Sequence, residues 1–398
     1  MVEAMTRLAS RMQRLGTESA FAVLAQAQAL ERTGRKVVHL EIGEPDFATP
    51  AHIVEAAMAG LKAGHTHYVP APGTLRLREA VSAYLERNGR LSAPADRVVV
   101  TPGAKPIMFY TMLALCNEGD EVLYPNPGFP MYESIAAFVG AVPVAVPLRE
   151  RNGFRVDPEE VEHLVTPRTK LLILNSPNNP CGSALTRDDC EALADIAVRH
   201  DLTVLSDEVY WATRYDGKHV SVLDFDGMAE RTVLLDGWSK PFAMTGWRLG
   251  FGVFPQYLVE PVTRLVVNSV SCTSAFSQDA AVAALEGPWQ PIEDMVAEFR
   301  VRRDVIVEGL EQIPGVSCTT PLGAFYVFPN TKELGLPSAV LAARLLDEAG
   351  VACLSGTAFG SWGEGYLRLS YANSVENIRT ALGCIDEFAR TCREPSQV

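Results

Sequence analysis

The stretch "RTVLLDGWSKPFAMTGWRLGFGVF", residues 231–254, decides the fold. It begins and ends as an apolar strand, "RTVLL" and "RLGFGVF", with a polar turn at the end of the first. Between them lie one lysine, Lys240, and eight residues later one arginine, Arg248, with no carboxylate close behind either. Lysine is rarely buried without a partner. Either both side chains reach along the apolar surface to solvent, or an anionic group waits inside.

Five more strand-like runs precede it: "RVVVT" (97–101), "DEVLYP" (120–125), "AVPVAVPL" (141–148), "KLLILN" (170–175) and "LTVLSD" (202–207). Several are apolar throughout, as strands covered on both faces are. Helical segments separate them. Asp157-Pro158 sets a cap before proline at the first helical position, and Thr186 with Asp189 has the spacing of a capping box. Strands alternating with helices predict an α/β fold with a mostly parallel seven-stranded sheet flanked by helices. After about residue 290 the texture changes to a long charged helix, short strands and a terminal helix. The expected division is a large domain over 48–290 and a smaller α+β domain from both chain ends, 1–47 and 291–398. The segment Pro45 to Pro50 is the crossing point.

The 398 residues carry a net charge of −13, with 47% hydrophobic and 21% charged residues. That balance is globular, and the acidity argues against nucleic acid or an anionic membrane as partner. The most apolar stretch, 134–148, is short and broken by Pro143 and Pro147, too short for a membrane span. The basic N-terminal stretch lacks the apolar core of a secretory signal. Eight cysteines lie scattered without a CxxC pair, a pattern of reduced thiols in a cytoplasmic protein. His65 and His67 form an HxH pair with no third ligand nearby, which leaves them as surface histidines.

Ligands of such sheets bind outside the carboxyl ends of the strands. Just there the chain places "TPGAKP" with Gly103 and Ala104 before a helix, "NSPNNPCG" with Asn179, "SDEVY" with Asp207 and Tyr210, and "DGWSK" with Ser239 and Lys240. Taken singly, each has an ordinary structural explanation. Together they assemble an anion cradle, an amide, a carboxylate, a phenol, a lysine and an arginine. A phosphorylated, ring-containing aldehyde needs that set.

The ordered motifs "GEPDF" (43–47), "TPGAKP" (101–106), "NSPNNPCG" (175–182), "DEVY" (207–210), "SKPFAMTGWRLGF" (239–251) and "YLRLSYA" (366–372) closely resemble the fold-type I, class I/II aminotransferases related to aspartate aminotransferase. The resemblance spans nearly the whole chain and implies pyridoxal 5'-phosphate as cofactor. It implies that Lys240 binds the cofactor covalently and moves the substrate proton, with Asp207 on the ring nitrogen. Tyr210 and Asn179 would meet the ring oxygen. Arg248, Ser239 and the amides of Gly103 and Ala104 would hold the phosphate, with Lys105 beside them and Phe129 against the ring face. Arg368 would fork onto the substrate α-carboxylate beside Asn179 and the Gly43 backbone, a task that suits arginine's planar donors. Tyr68 would reach the phosphate of a neighbouring subunit, implying a homodimer.

The implied reaction moves the amino group of an L-amino acid (aspartate, alanine or an aromatic one) to a 2-oxo acid such as 2-oxoglutarate. The alternative on the same constellation is a C–S lyase. A regulator with an aminotransferase-like domain would carry a basic DNA-binding module, and a nicotinamide dehydrogenase would carry GxGxxG after its first strand. Neither is present. Some members of the family use a lysine at the place of Lys105 to meet a distal carboxylate. Cys181, Trp211 and Trp238 depart from the usual pattern, and the two tryptophans are expected to pack outside the pocket.

Overall fold

The computed structural model describes residues 8–393. The outer ends of the expected small domain, and the first residues of the N-terminal stretch read for a signal, lie outside the described residues.

After a 3-10 turn at Ser10–Arg14 come the helix Ser19–Glu31 and a short strand, β1 (Val38–His39). Then come β2 (Val98–Thr101), β3 (Glu121–Asn126), β4 (Val142–Pro147), β5 (Thr169–Asn175), β6 (Thr203–Asp207), β7 (Thr232–Gly237) and β8 (Gly250–Val253). These seven form one sheet in the order β2-β8-β7-β6-β5-β3-β4. All neighbours are parallel except at β8, which runs antiparallel to both β2 and β7. The expected strand runs are therefore all present, with their ends shifted by a residue or two. The caps formed as read: the Asp157 side chain accepts from the Glu159 amide, and Thr186 and Asp189 close a capping box.

Helices bury both sheet faces. On one side Leu77, Val81 and Tyr84 of the helix Leu75–Arg87 pack with Trp238, Phe251 and the helix Ala275–Glu286. On the other, the helices Lys105–Leu115, Met131–Val139 and Gln256–Ser269 cover Leu171, Ile173, Leu205 and Leu235. Residues of β2, β6 and β7 are buried throughout, which is why those runs read as continuously apolar.

A separate core gathers around Phe299, Phe325 and Tyr371, drawing on the long helix Gln290–Glu311 and the helix Val375–Arg393. It also holds β9 (Tyr326–Val327), Val351 of β10 (Val351–Ala352) and Leu367 and Leu369 of β12 (Leu367–Ser370), with β11 (Leu354–Ser355) between the last two strands in sequence. Strands β11, β12 and β9 make an antiparallel sheet, and β1 pairs in parallel with β10. The first strand of the chain is thus tied to its last quarter. Among the described residues no helix is long and apolar enough to cross a membrane.

Sheet order reverses between β5 and β3: β4 lies outside β3, whereas β6 and β7 follow β5 in the other direction. A crevice at the carboxyl ends of the strands forms at such a reversal.

Candidate active site

A cavity of about 950 Å³ opens at these strand ends, bounded on the far side by residues 39–46 and by Tyr326 and Arg368. Asn175 closes β5, Asp207 closes β6, and Ser239 and Lys240 follow two and three residues after β7. All four line the cavity, as do Ala104, Lys105, Phe129, Asn179, Tyr210, Arg248 and Gly43. Of the residues expected in the site, Gly103 lies behind Arg248, as described below, and Tyr68 lies elsewhere, 88% exposed.

Lys240 Nζ donates to the Gly43 carbonyl at 2.5 Å and lies 5.8 Å from the ring of Tyr210 and 5.6 Å from that of Phe325. Loss of solvent lowers its ammonium to about 8, aided by the Arg368 charge and opposed by Glu44. Asp207, almost fully buried, is pushed the other way, up to about 7. The Tyr132 hydroxyl, donating to Asp207 Oδ2 at 2.6 Å, only partly offsets that burial. Tyr132 itself is fully buried and meets the Phe129 ring edge-on.

Behind Asp207 lies a buried charge cluster. Arg90 bridges Glu208 at 2.8 Å and Asp236 at 2.5 Å, with its guanidinium 4.4 Å from the Trp211 ring. His219 Nε2 contacts Glu208 at 2.7 Å, and the hydroxyls of Ser206 and Ser221 both donate to Glu208. Burial would raise the Glu208 carboxyl, but His219 and Arg90 outweigh it and hold it well below the usual range. So satisfied, the residue after Asp207 fixes the end of β6.

The anion cradle is tightly built. Gly103 has φ +87, and a side chain there would collide with the Arg248 guanidinium. A Cβ at Gly250 would strike the backbone of Gly103 and Ala104. The loop therefore lies flat on β8 and leads into the helix Lys105–Leu115, whose N-cap, Ala104, offers no side-chain acceptor. Uncapped amides at a helix start suit an anion. Arg248 does not begin β8 as its sequence position suggested. It ends a short 3-10 turn with φ +56, two residues before the strand, and donates to the Thr245 carbonyl at 2.9 Å. The left-handed turn directs it toward Gly103 instead of along the strand.

Arg368, on β12, is buried with its guanidinium 4.6 Å from the Tyr326 ring and 4.9 Å from Phe359. It donates to the Glu41 carbonyl and, at 3.4 Å, to Asn179 Oδ1, and its Nε has no acceptor among the described residues. Tyr326 also bonds the Tyr210 hydroxyl at 2.8 Å. Neither Tyr132 nor Tyr326 had a local signal in the sequence.

Trp238 is fully buried, its indole N–H on the Ala281 carbonyl at 3.1 Å and its ring edge-on to Phe251. It faces the helices, away from the cavity. Trp211 stacks on Trp289 beneath Arg90. Cys181 is buried, with its thiol held well above the ordinary value by loss of solvent. His65 contacts Asp279 at 2.7 Å.

A crevice at the strand ends holding lysine, carboxylate, phenol and guanidinium defines a fold-type I pyridoxal-phosphate enzyme. The chain belongs to the family of aminotransferases class I and II, whose pattern matches residues 35–385. It is 42% identical to aromatic-amino-acid aminotransferase 2 of Thermococcus litoralis, over 89% of this chain and 92% of that protein. It is 41% identical to an arginine–pyruvate transaminase of Pseudomonas aeruginosa, over 93% and 94% of the two. The solved aspartate aminotransferase of Thermus thermophilus with maleate superposes with a TM-score of 0.91 at 38% identity, covering 96% of this chain and 99% of that one. The protein is a pyridoxal-phosphate-dependent aminotransferase.

Proposed function

We propose that this chain moves the amino group of an L-amino acid to 2-oxoglutarate through the cavity around Lys240. The observation that carries this reading is Lys240 itself: a lysine at a strand end, lowered to about 8 and sharing one cavity with Asp207, Arg248 and Arg368. An amine that is neutral in part near physiological pH can act as nucleophile and proton carrier.

The residues present fit the cofactor in kind. The flat Gly103–Ala104 loop, the uncapped helix start, Ser239 and Arg248 suit a phosphate. The half-exposed Phe129 offers a ring face. Asp207, a buried carboxylate with a single strong donor, suits a protonated ring nitrogen, and Tyr210 with Asn179 suits the ring oxygen. When bound, the cofactor supplies the electron sink that stabilises negative charge at the substrate Cα. The protein does the rest. Arg368 receives the α-carboxylate with its Asn179 and Gly43 neighbours, Lys240 removes the Cα proton and returns one, and Asp207 keeps the ring nitrogen charged. Tyr326 holds both the Tyr210 hydroxyl and the Arg368 plane.

We infer a division into a large domain (48–290) and a small one (1–47 with 291–398); the core around Phe299, Phe325 and Tyr371, drawn largely from residues after 290, supports it. We infer a homodimer, since Tyr68 at 88% exposure and its chain neighbours Met58, Leu61 and Leu75 leave apolar surface uncovered. All eight cysteines are free, which supports a cytoplasmic location.

Supplying 2-oxoglutarate with aspartate, alanine or aromatic donors tests the reading. Glutamate should form, and none should form without the oxo acid. Pyruvate and ammonia released from cystathionine alone would support the lyase instead.

A further inference from the structure

In a ping-pong transamination one pocket receives two side chains in turn. An uncharged donor would leave a lone ammonium facing apolar atoms, whereas a dicarboxylic partner needs a cation for its second carboxylate. One cavity must therefore be able to show its charge and to hide it.

Lys105 is the cation at this place. It is the first residue of its helix, its side chain is 49% exposed to the cavity and surroundings, and its ammonium lies 5.5 Å from the Phe129 ring. It forms an ion pair with Glu18, the residue just before the helix Ser19–Glu31. Glu18 and Lys105 both line the cavity. Glu18 Oε1 carries this pair and accepts no other hydrogen bond among the described residues, although it is shielded from solvent. Neighbouring carboxylates are committed elsewhere: Glu44 to Thr245, Asp46 to Arg302, and Glu31 and Glu41 to His39. Lys240 and Arg368 line the same cavity, so the Glu18 carboxylate shares it with the reacting end.

We propose that Glu18 is a specificity-determining residue: it holds Lys105 while the substrate side chain is uncharged and yields it to the distal carboxylate of a dicarboxylic amino or oxo acid. The inference rests on the transamination reading above. The lysine of this pair is half exposed, which leaves the pair weakly held, so a substrate carboxylate already anchored at its other end by Arg368 can displace Glu18. Its carboxylate mimics the one it gives way to. Phe129 serves both states, beside the ammonium in one and against an uncharged side chain in the other.

The test is the single half-reaction of the holoenzyme with L-glutamate and with L-phenylalanine, followed by cofactor absorbance, in wild type, Glu18→Gln, Lys105→Met and the double variant. Glu18→Gln should raise the glutamate-to-phenylalanine ratio of kcat/KM about fivefold, because the competitor for Lys105 is gone. In the Lys105→Met background the same change should move the ratio less than twofold. The proposal is overturned if the ratio stays or falls in Glu18→Gln, or rises equally without Lys105. A wild type that reacts with glutamate but not phenylalanine, or with phenylalanine but not glutamate even after Glu18→Gln, overturns it too. If no amino acid reacts, transamination itself is refuted; if both react and the ratio does not move, only the role of Glu18 is.

Discussion

The Tyr132 hydroxyl donates to Asp207 Oδ2 at 2.6 Å, with both side chains buried at the carboxyl end of the sheet. Among the described residues the one other donor to that carboxylate is the Val209 amide, at a long 3.4 Å. In Tyr132→Phe the carboxylate loses the bond that opposes burial, and its proton affinity rises beyond the present value of about 7. Cofactor binding should weaken about tenfold, the cost of an unsatisfied buried acceptor. Equilibrium dialysis of pyridoxal phosphate checks this, and unchanged affinity would remove Tyr132 from the site.

A buried carboxylate raised to about 7 costs the cofactor-free protein stability. The folded protein holds the Asp207 proton where the unfolded chain has released it. This contribution is complete below the ordinary carboxylate value near 4 and is lost as pH rises through 7. Asp207→Asn escapes that loss. Without cofactor, its gain over wild type in urea unfolding should be larger at pH 8 than at pH 5 by roughly 2 kcal/mol.

Lys240 carries the opposite sign. Its ammonium, lowered to about 8 by burial, releases its proton more than two pH units earlier than a surface lysine. Capture of pyridoxal phosphate by the cofactor-free protein should accelerate as pH rises through about 8 and level above it. A rise that continues toward pH 10 would show an ordinary, solvated amine.

Arg90 links two carboxylates, Glu208 and Asp236, in the layer behind Asp207. Arg90→Met leaves both without their guanidinium and should cost about 3–5 kcal/mol, read by chemical denaturation. By contrast, Arg264→Met, which breaks a pair exposed by about seven-tenths on each side, should cost nothing measurable.

The alternation of apolar runs and capped helices carried the sheet, and the break at each strand end carried Asp207, Ser239 and Lys240. Those signals are local. Tyr132 and Tyr326 act on residues 75 and 116 positions away, and nothing in their own neighbourhoods marks them. Arg248 was misplaced because an apolar run hides where a turn ends: its left-handed backbone, two residues before β8, is a tertiary compromise with Gly103. Trp238, expected to pack outside the pocket, does so for a reason its own neighbourhood does not hold. It immediately follows β7, and only the helix carbonyl of Ala281 fixes its face.

Arg368→Ala should weaken amino-acid binding by about 2–5 kcal/mol, since a buried guanidinium aimed at a carboxylate would be lost. Cofactor binding should change little, because the residues proposed for the phosphate and the ring lie on other elements. Substrate titration and cofactor dialysis on the same variant separate the two effects.

The most direct test of the whole account is the site of covalent attachment. The holoenzyme is reduced with borohydride, digested and mapped by mass. The cofactor should be found on Lys240 alone, and Lys240→Ala should retain neither the label nor transamination. A label on another lysine, or a Lys240→Ala variant that transaminates at the wild-type rate, would contradict it.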